Sequence, residues 1–191
     1  MPSENNREAT RVCVFCGSRE GNDLFLKNAT RVGRELALRG FRLVYGGGSD
    51  GLMGAVALAY NEGGGKAIGV IPDYLDQTSP SESHFFEKQV VKDLFERKKM
   101  MIKMADAFIA LPGGIGTLDE ISEVLALLQL NQLTKPLGLL NLSNYYTPLV
   151  DVLYHFQKNR FLDGSIEEYL YVSDDISELL NKIVGRYSAC R

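Results

Sequence analysis

The segment Pro112-Gly113-Gly114-Ile115-Gly116-Thr117 stands between a short apolar run, residues 107–111, and a helical pattern over residues 117–130. Glycines lack Cβ atoms, so their N–H groups can converge on an anion, and a helix N-terminus behind them adds partial positive charge and unpaired donors. With the Thr117 hydroxyl beside it, the segment suits a phosphate. It is not a P-loop, because no Lys-Ser/Thr pair follows the last glycine. A tight turn that binds nothing is the plain alternative. A second glycine loop, Gly46-Gly47-Gly48-Ser49-Asp50-Gly51, also follows a strand pattern, and two such loops weigh against that alternative.

Carboxylates and cations stand close to the first loop in sequence. Asp119, Glu120 and Glu123 crowd the start of the helix. Thr117-x-x-Glu120 has capping-box spacing, and acidic residues favour that helix end, so Glu120 reads as a cap slightly more readily than as a catalytic group. Two features raise the catalytic reading. Glu120 follows a candidate phosphate cradle, and Arg97-Lys98-Lys99 lies upstream at a helix start, where cations are disfavoured by the dipole. A solvated charged face would explain the basic run, whereas a bidentate Arg against a phosphate or purine is the sharper alternative. A carboxylate lining such a cleft can stabilise a cationic sugar centre and orient a water.

Other patterns are weaker. Gly46-x-Gly48-x-x-Gly51, with Asp73 about twenty residues on, satisfies the dinucleotide fingerprint. It falls on the second strand–helix unit, however, and leaves no length for a catalytic domain. Cys13-x-x-Cys16 lies in a strand with no second pair, so the two read as core residues. His84 and His155 have no metal spacing; His84 could stand at a cleft mouth and His155 on a helix surface. No G-x-S-x-G elbow is present.

Bulk properties bound the function. The chain has 191 residues, 19 of them glycine, and a net charge of −3. That length suits one domain, and that charge argues against a general nucleic-acid binder. Three cysteines fit a reducing compartment, hence a cytoplasmic location. The polar first ten residues contain no signal-like apolar stretch, and no run has the length of a membrane span. The expected organisation is a flexible segment over 1–10, one nucleotide-binding domain over 11–185 and a tail over 186–191.

Elements that would position these residues alternate along the chain. Strands are expected at 11–16, 41–45, 67–71, 107–111 and 137–140, with a shorter one at Val90-Val91. Helices are expected at 23–39, 52–61, 94–105, 117–130, 145–157 and 176–184. Residues 73–87 read mainly as loop. This alternation predicts an α/β fold: a Rossmann-like, doubly wound parallel sheet with helices on both faces, in a single domain. Ligands of such sheets bind at the carboxyl ends of the strands, where both glycine loops stand.

Taken together, Pro112-Gly113-Gly114-Ile115-Gly116-Thr117-Leu118-Asp119-Glu120 and Arg97-Lys98-Lys99-Met100-Met101 resemble the LOG (Lonely Guy) family. These are cytokinin riboside 5′-monophosphate phosphoribohydrolases, often mislabelled as lysine decarboxylases. The likeness runs over about residues 12–180. It takes in Phe15-Cys16-Gly17-Ser18, Tyr45-Gly46-Gly47-Gly48, Gly51-Leu52-Met53-Gly54, Ile68-Gly69-Val70-Ile71-Pro72 and Lys135-Pro136-Leu137-Gly138-Leu139-Leu140-Asn141.

The resemblance implies hydrolysis of the N-glycosidic bond of an adenosine 5′-monophosphate, with or without an N6 substituent, to free base and ribose 5-phosphate. It implies no metal or organic cofactor, and a homodimer with the site near the subunit interface. It casts Arg97 and Glu120 as catalytic. Arg97 would bind the nucleotide and help the leaving base accept charge or a proton. The implied substrate contacts are Gly17, Ser18, Gly47, Gly48, Arg97, Lys98, Glu123 and the loop Gly113, Gly114, Ile115, Gly116 and Thr117, with Glu82 as the loop carboxylate. Departures fall near the same place. Ile115 replaces a Tyr of plant members, Leu94-Phe95 replace Met-His, and the helix Trp of those members corresponds to Leu127. These leave the base preference open. Two other readings stay in view: a nucleotide or dinucleotide carrier without hydrolase activity, and a nucleosidase of broader purine or pyrimidine range.

Overall fold

A computed structural model describes residues 9–78 and 86–189. The strands are β1 (Arg11–Phe15), β2 (Arg42–Tyr45), β3 (Ala67–Pro72), β4 (Phe86–Val91), β5 (Ala107–Ala110), β6 (Leu137–Leu140) and β7 (Leu170–Ser173). The helices are α1 (Asp23–Leu38), α2 (Gly51–Glu62), α3 (Asp73–Thr78), α4 (Leu94–Met104), α5 (Ile115–Gln129), α6 (Thr147–Lys158), α7 (Ile166–Tyr169) and α8 (Ile176–Ala189). All seven strands join one parallel sheet in the order β4-β3-β2-β1-β5-β6-β7. The chain is therefore a single α/β domain, wound outward from β1 in one direction and then, from β5, in the other.

The central strands are apolar almost without interruption because both faces are covered. Val12 and Val14 of β1 pack with Leu36, Val56 and Leu180, from α1, α2 and α8. The alternate residues Cys13 and Phe15 pack with Met101, Ile121 and Leu153, from α4, α5 and α6. Local signals start and stop the helices. The Asn22 side chain accepts from Phe25 N at 3.0 Å to begin α1, and Gly40, at φ +69°, turns the chain beyond its end.

The edges depart from the expectation. Within residues 73–87, expected mainly as loop, Asp73–Thr78 is helical and the strand expected at Val90-Val91 begins at Phe86, while 79–85 lie outside the described residues. Residues 166–173, for which the sequence suggests nothing, form α7 and β7. β4 is an edge strand, so Glu87, Lys88 and Gln89 need no full cover and break the apolar run that marks a buried strand, while β7, at the other edge, is only four residues long. The last helix continues to Ala189, beyond the Val184 at which its apolar pattern fades.

The small residues of α2 serve contact with α1 as well as with the sheet. A Cβ built on Gly33 of α1 would lie 2.3 Å from Val56 O and 2.9 Å from Tyr60 N of α2. Backbone cannot yield to such an intrusion as a flexible side chain can. Gly33→Ala should therefore lower the urea midpoint by an amount equal to about 1–3 kcal/mol. Gly185→Ala, in α8 with nothing within 4 Å of an added Cβ, should raise it by about 0.5–1 kcal/mol.

Candidate active site

The reversal of strand order places β1 between β2 and β5, and the loops that leave these three strands meet above the sheet. Gly17 N donates to Pro112 O at 3.1 Å, tying the loop after β1 to the loop after β5. Gly51, at φ +58°, lies against Ser18, where an added Cβ would come within 2.4 Å of backbone. These close approaches account for glycine in the loops on steric grounds. They enclose a cleft of about 770 Å³, within the range of small-molecule sites.

Arg97 reaches the cleft from the first turns of α4, whose N-terminus Asp93 caps by accepting from Phe95 N and Glu96 N. Its Nε donates to Val70 O of β3 at 3.1 Å, and one terminal nitrogen donates to Gly46 O at 3.3 Å. The other lies 3.5 Å from Glu120 Oε1. A Cβ on Gly46 would stand 1.8 Å from the guanidinium, so only glycine leaves room for it.

The helix that carries Glu120 begins at Ile115, with Gly114 as its N-cap and no side-chain cap bond. The capping-box reading of Thr117 and Glu120 is thereby corrected: Thr117 is already inside the helix. Its hydroxyl lies where a Cβ on Gly113 would fall, at 2.1 Å. Glu120 is only 6% exposed. Loss of hydration raises its carboxyl to about 7; Arg97 opposes the shift and Asp119 adds to it. A carboxyl that changes charge near neutrality, beside a fixed guanidinium and a helix N-terminus, has the character of an acid–base or charge-stabilising group.

The other expected residues divide. Gly17, Ser18, Gly48, Arg97, Gly113, Gly114, Ile115, Gly116, Thr117 and Glu120 all line the cleft. Gly47 is buried behind it, at φ +74° and close to Ile71. Lys98 and Glu123 lie outside the lining and pair with each other at 2.7 Å, while Lys98 also reaches Asp119 at 2.9 Å. Desolvation pulls the Lys98 ammonium down, but its bonds to Glu123 and Asp119 outweigh this and hold it above the ordinary value. Glu82 and His84 lie outside the described residues. His155 is exposed on α6. Asp73 is not in the lining, and its carboxylate accepts from Gln77 at 2.7 Å, so the residue required by a dinucleotide reading is engaged elsewhere.

Phe25, Met53 and Tyr145 also line the cleft and were not singled out from the sequence. Tyr145 follows β6 at its carboxyl end. That placement, where ligands of such sheets bind, is the one signal that could have drawn attention to it. Cys16 lines the cleft floor as a buried free thiol, raised by burial and by Glu120. Among the described residues no group of three or more His, Cys, Asp or Glu could hold a metal ion, and no helix is long and apolar enough to cross a membrane.

Residues 53–183 match a family model described as "Possible lysine decarboxylase". A rice (Oryza sativa subsp. japonica) relative named "Probable cytokinin riboside 5'-monophosphate phosphoribohydrolase LOG4" is 44% identical over 173 residues, 90% of this chain and 75% of its own. The chain belongs to the LOG family. An Arabidopsis thaliana member, "Cytokinin riboside 5'-monophosphate phosphoribohydrolase LOG4", is 41% identical over 94% of this chain and 84% of its own. Among solved structures, the molybdenum cofactor binding protein of Rippkaea orientalis superposes with a TM-score of 0.71 at 23% identity. That comparison covers 93% of this LOG chain and 99% of the other, and it shows a shared fold.

The raised carboxyl has a consequence for stability. The folded protein holds a proton on Glu120 to higher pH than the unfolded chain does. The group therefore favours folding most below the ordinary carboxylate range, and that advantage is lost as pH rises toward about 7. Between about pH 5 and about pH 8 the native protein should lose ~2 kcal/mol relative to Glu120→Gln. Urea melts of the two proteins at both pH values measure the difference, and a pH-independent gap would show that Glu120 ionises normally.

Proposed function

We propose that the protein hydrolyses the N-glycosidic bond of a nucleoside 5′-monophosphate, giving free base and ribose 5-phosphate, with an adenine or N6-substituted adenine nucleotide as substrate. The observation that carries this reading is the buried Arg97–Glu120 pair, at 3.5 Å, on the floor of a cleft whose rim is the N-terminus of α5. Family membership and the printed names of the relatives support the same chemistry.

In the proposed reaction the C1′–N bond breaks with its electron pair leaving on the base, which takes up a proton. A water oxygen bonds to C1′ and gives up a proton. The sugar passes through an oxocarbenium-like state, which an adjacent carboxylate stabilises. Glu120, in its ionised form, fills that role and orients the water. Arg97 acts as a fixed charge, since guanidinium keeps its proton in proteins. It holds the carboxylate in place and lowers the energy of negative charge beside it. Gly113, Gly114, Gly116 and Thr117 hold the 5′-phosphate, and that remote binding energy orients C1′ over Glu120. Gly17, Ser18 and Gly48 complete the sugar-phosphate wall. Lys98 and Glu123 act from behind the cleft by locking α4 to α5. A lysine decarboxylase working through a pyridoxal Schiff base needs a lysine in its site, and no Lys lines the cleft among the described residues.

A homodimer fits the surface beside the cleft. Leu94 and Phe95 of α4 and Ile115 and Leu118 of α5 are exposed, with Phe95 at 79% and Ile115 at 82%. Lys98 joins the two helices and lies 5.7 Å over the Phe95 ring. Exposed apolar side chains on two helices joined in this way are what a second copy of the chain would cover. The free buried thiols of Cys13 and Cys16 suit a reducing compartment and support a cytoplasmic location.

The test is chromatographic assay of free base from AMP, N6-isopentenyl-AMP and the matching nucleosides. Release from the monophosphates alone is the expected result; release from none of them removes the hydrolase reading. Glu120→Gln should lose about two to four orders of magnitude in kcat while still binding AMP. For the wild type, kcat/KM should fall as pH drops below about 7, as the carboxylate takes up its proton. Sedimentation should give a dimer, and Phe95→Asp with Ile115→Asp should shift it toward monomer; a wild-type monomer at micromolar concentration would discard the dimer.

A further inference from the structure

Three successive carbonyls in the loop after β5 are each held by a donor from outside it. Leu111 O accepts from the Tyr146 hydroxyl at 2.5 Å, Pro112 O from Gly17 N at 3.1 Å, and Gly113 O from the Tyr145 hydroxyl at 2.6 Å. In a trans peptide the carbonyl and the N–H that follows it point to opposite sides, and no peptide bond here is cis among the described residues. Anchoring Pro112 O thus sets the direction of Gly113 N–H, and anchoring Gly113 O sets that of Gly114 N–H. Among the described residues neither N–H has an acceptor within the protein, and both glycines line the cleft.

Gly113 and Gly114 have no side chains that could hold their peptide planes. Glycine backbone is the most permissive of all, so an unbraced loop would lose a large orientational entropy on gripping an anion. The brace is itself firmly placed. After β6, Asn141 accepts from Tyr146 N at 2.7 Å and donates to Thr147 at 3.2 Å. Ser143 and Asn144 then take left-handed backbone, at φ 49° and 61°. Two consecutive non-glycine residues in that region carry a backbone cost. What the turn delivers is a pair of tyrosines against the glycine loop. Tyr146 is buried, whereas Tyr145 is 40% exposed and stands edge-on to Phe25, at 5.3 Å, and to Tyr146, at 5.2 Å.

We propose that Tyr145 is a positioning residue of the phosphate subsite, whose hydroxyl, through the Gly113 carbonyl, aims Gly114 N–H at the 5′-phosphate. This rests on the reading of the glycine loop as the phosphate subsite. Tyr145 acts on the peptide plane and not on the reacting atoms. Its effect therefore belongs to ligands that carry a phosphate and not to nucleosides.

Tyr145→Phe keeps the ring and both edge contacts and removes only the hydroxyl. Calorimetric titration with AMP, ribose 5-phosphate and adenosine, on wild type and variant, tests the proposal. Affinity for AMP and ribose 5-phosphate should fall roughly tenfold, the worth of one oriented hydrogen bond, while that for adenosine stays unchanged. In turnover the same loss should appear in KM, with kcat changed much less. Equal weakening of AMP and adenosine would make Tyr145 a general packing residue and overturn the proposal, as would unchanged AMP affinity. A wild type that binds neither AMP nor ribose 5-phosphate would instead remove the phosphate reading of the loop.

Discussion

A guanidinium with little access to water must find acceptors on every side, and this requirement organises the centre of the molecule. Arg97 finds them on three different units of the fold: Val70 O on β3, Gly46 O at the end of β2, and Glu120 on α5. None is near it in sequence. The site is therefore complete only when β2, β3, α4 and α5 are all in place around β1. Gly46 must lack a side chain for the guanidinium to fit, and α4 must be capped at Asp93 for Arg97 to stand one turn in. The carboxylate facing it is not at rest. Burial raises it more than Arg97 lowers it, so the pair holds a group close to its own titration point at neutral pH.

Around that pair the backbone supplies what side chains do not. Loops leaving β1, β2 and β5 touch one another through glycine, with Gly17 bonded to Pro112 and Gly51 pressed against Ser18. Close approach of this kind leaves N–H groups, rather than side chains, to face the cleft. Backbone donors beside the N-terminus of α5 favour a compact anion over a flat apolar ligand. Charged side chains join these backbone groups in the cleft lining: Arg19, Asp50, Arg97 and Glu120. The solved structure of the Rippkaea orientalis protein shares the fold, at 23% identity. The sheet accordingly identifies a place for ligands, and the residues on its loops select the chemistry.

Outside the cleft, charge serves assembly of the two helices. Lys98 bridges Asp119 and Glu123 and covers part of the Phe95 ring. Those contacts couple the helix carrying Arg97 to the helix carrying Glu120. Phe95 and Ile115 are both exposed, and Ile115 lines the cleft.

The sequence by itself determined the parallel α/β architecture, because strands buried on both faces must be apolar almost throughout, as β5, β6 and, after Arg11, β1 are. It also determined the two glycine loops and the residue types of the Arg97–Glu120 pair, since these are written in contiguous motifs. It could not decide whether Glu120 was a cap or a cleft residue. That depended on where α5 starts, and Gly114 moves the start ahead of Thr117. Nor could it separate Arg97, which turns inward, from Lys98, which turns toward Asp119 and Glu123, because adjacent helical residues differ only in the direction the packed helix gives them. The edge strand β4 was obscured because partial exposure lets polar residues into it, and β7 because it is only four residues long. Tyr145 carried no motif at all. Its hydroxyl meets a carbonyl 32 residues away in sequence, and only the adjacency of β5 and β6 brings the two together.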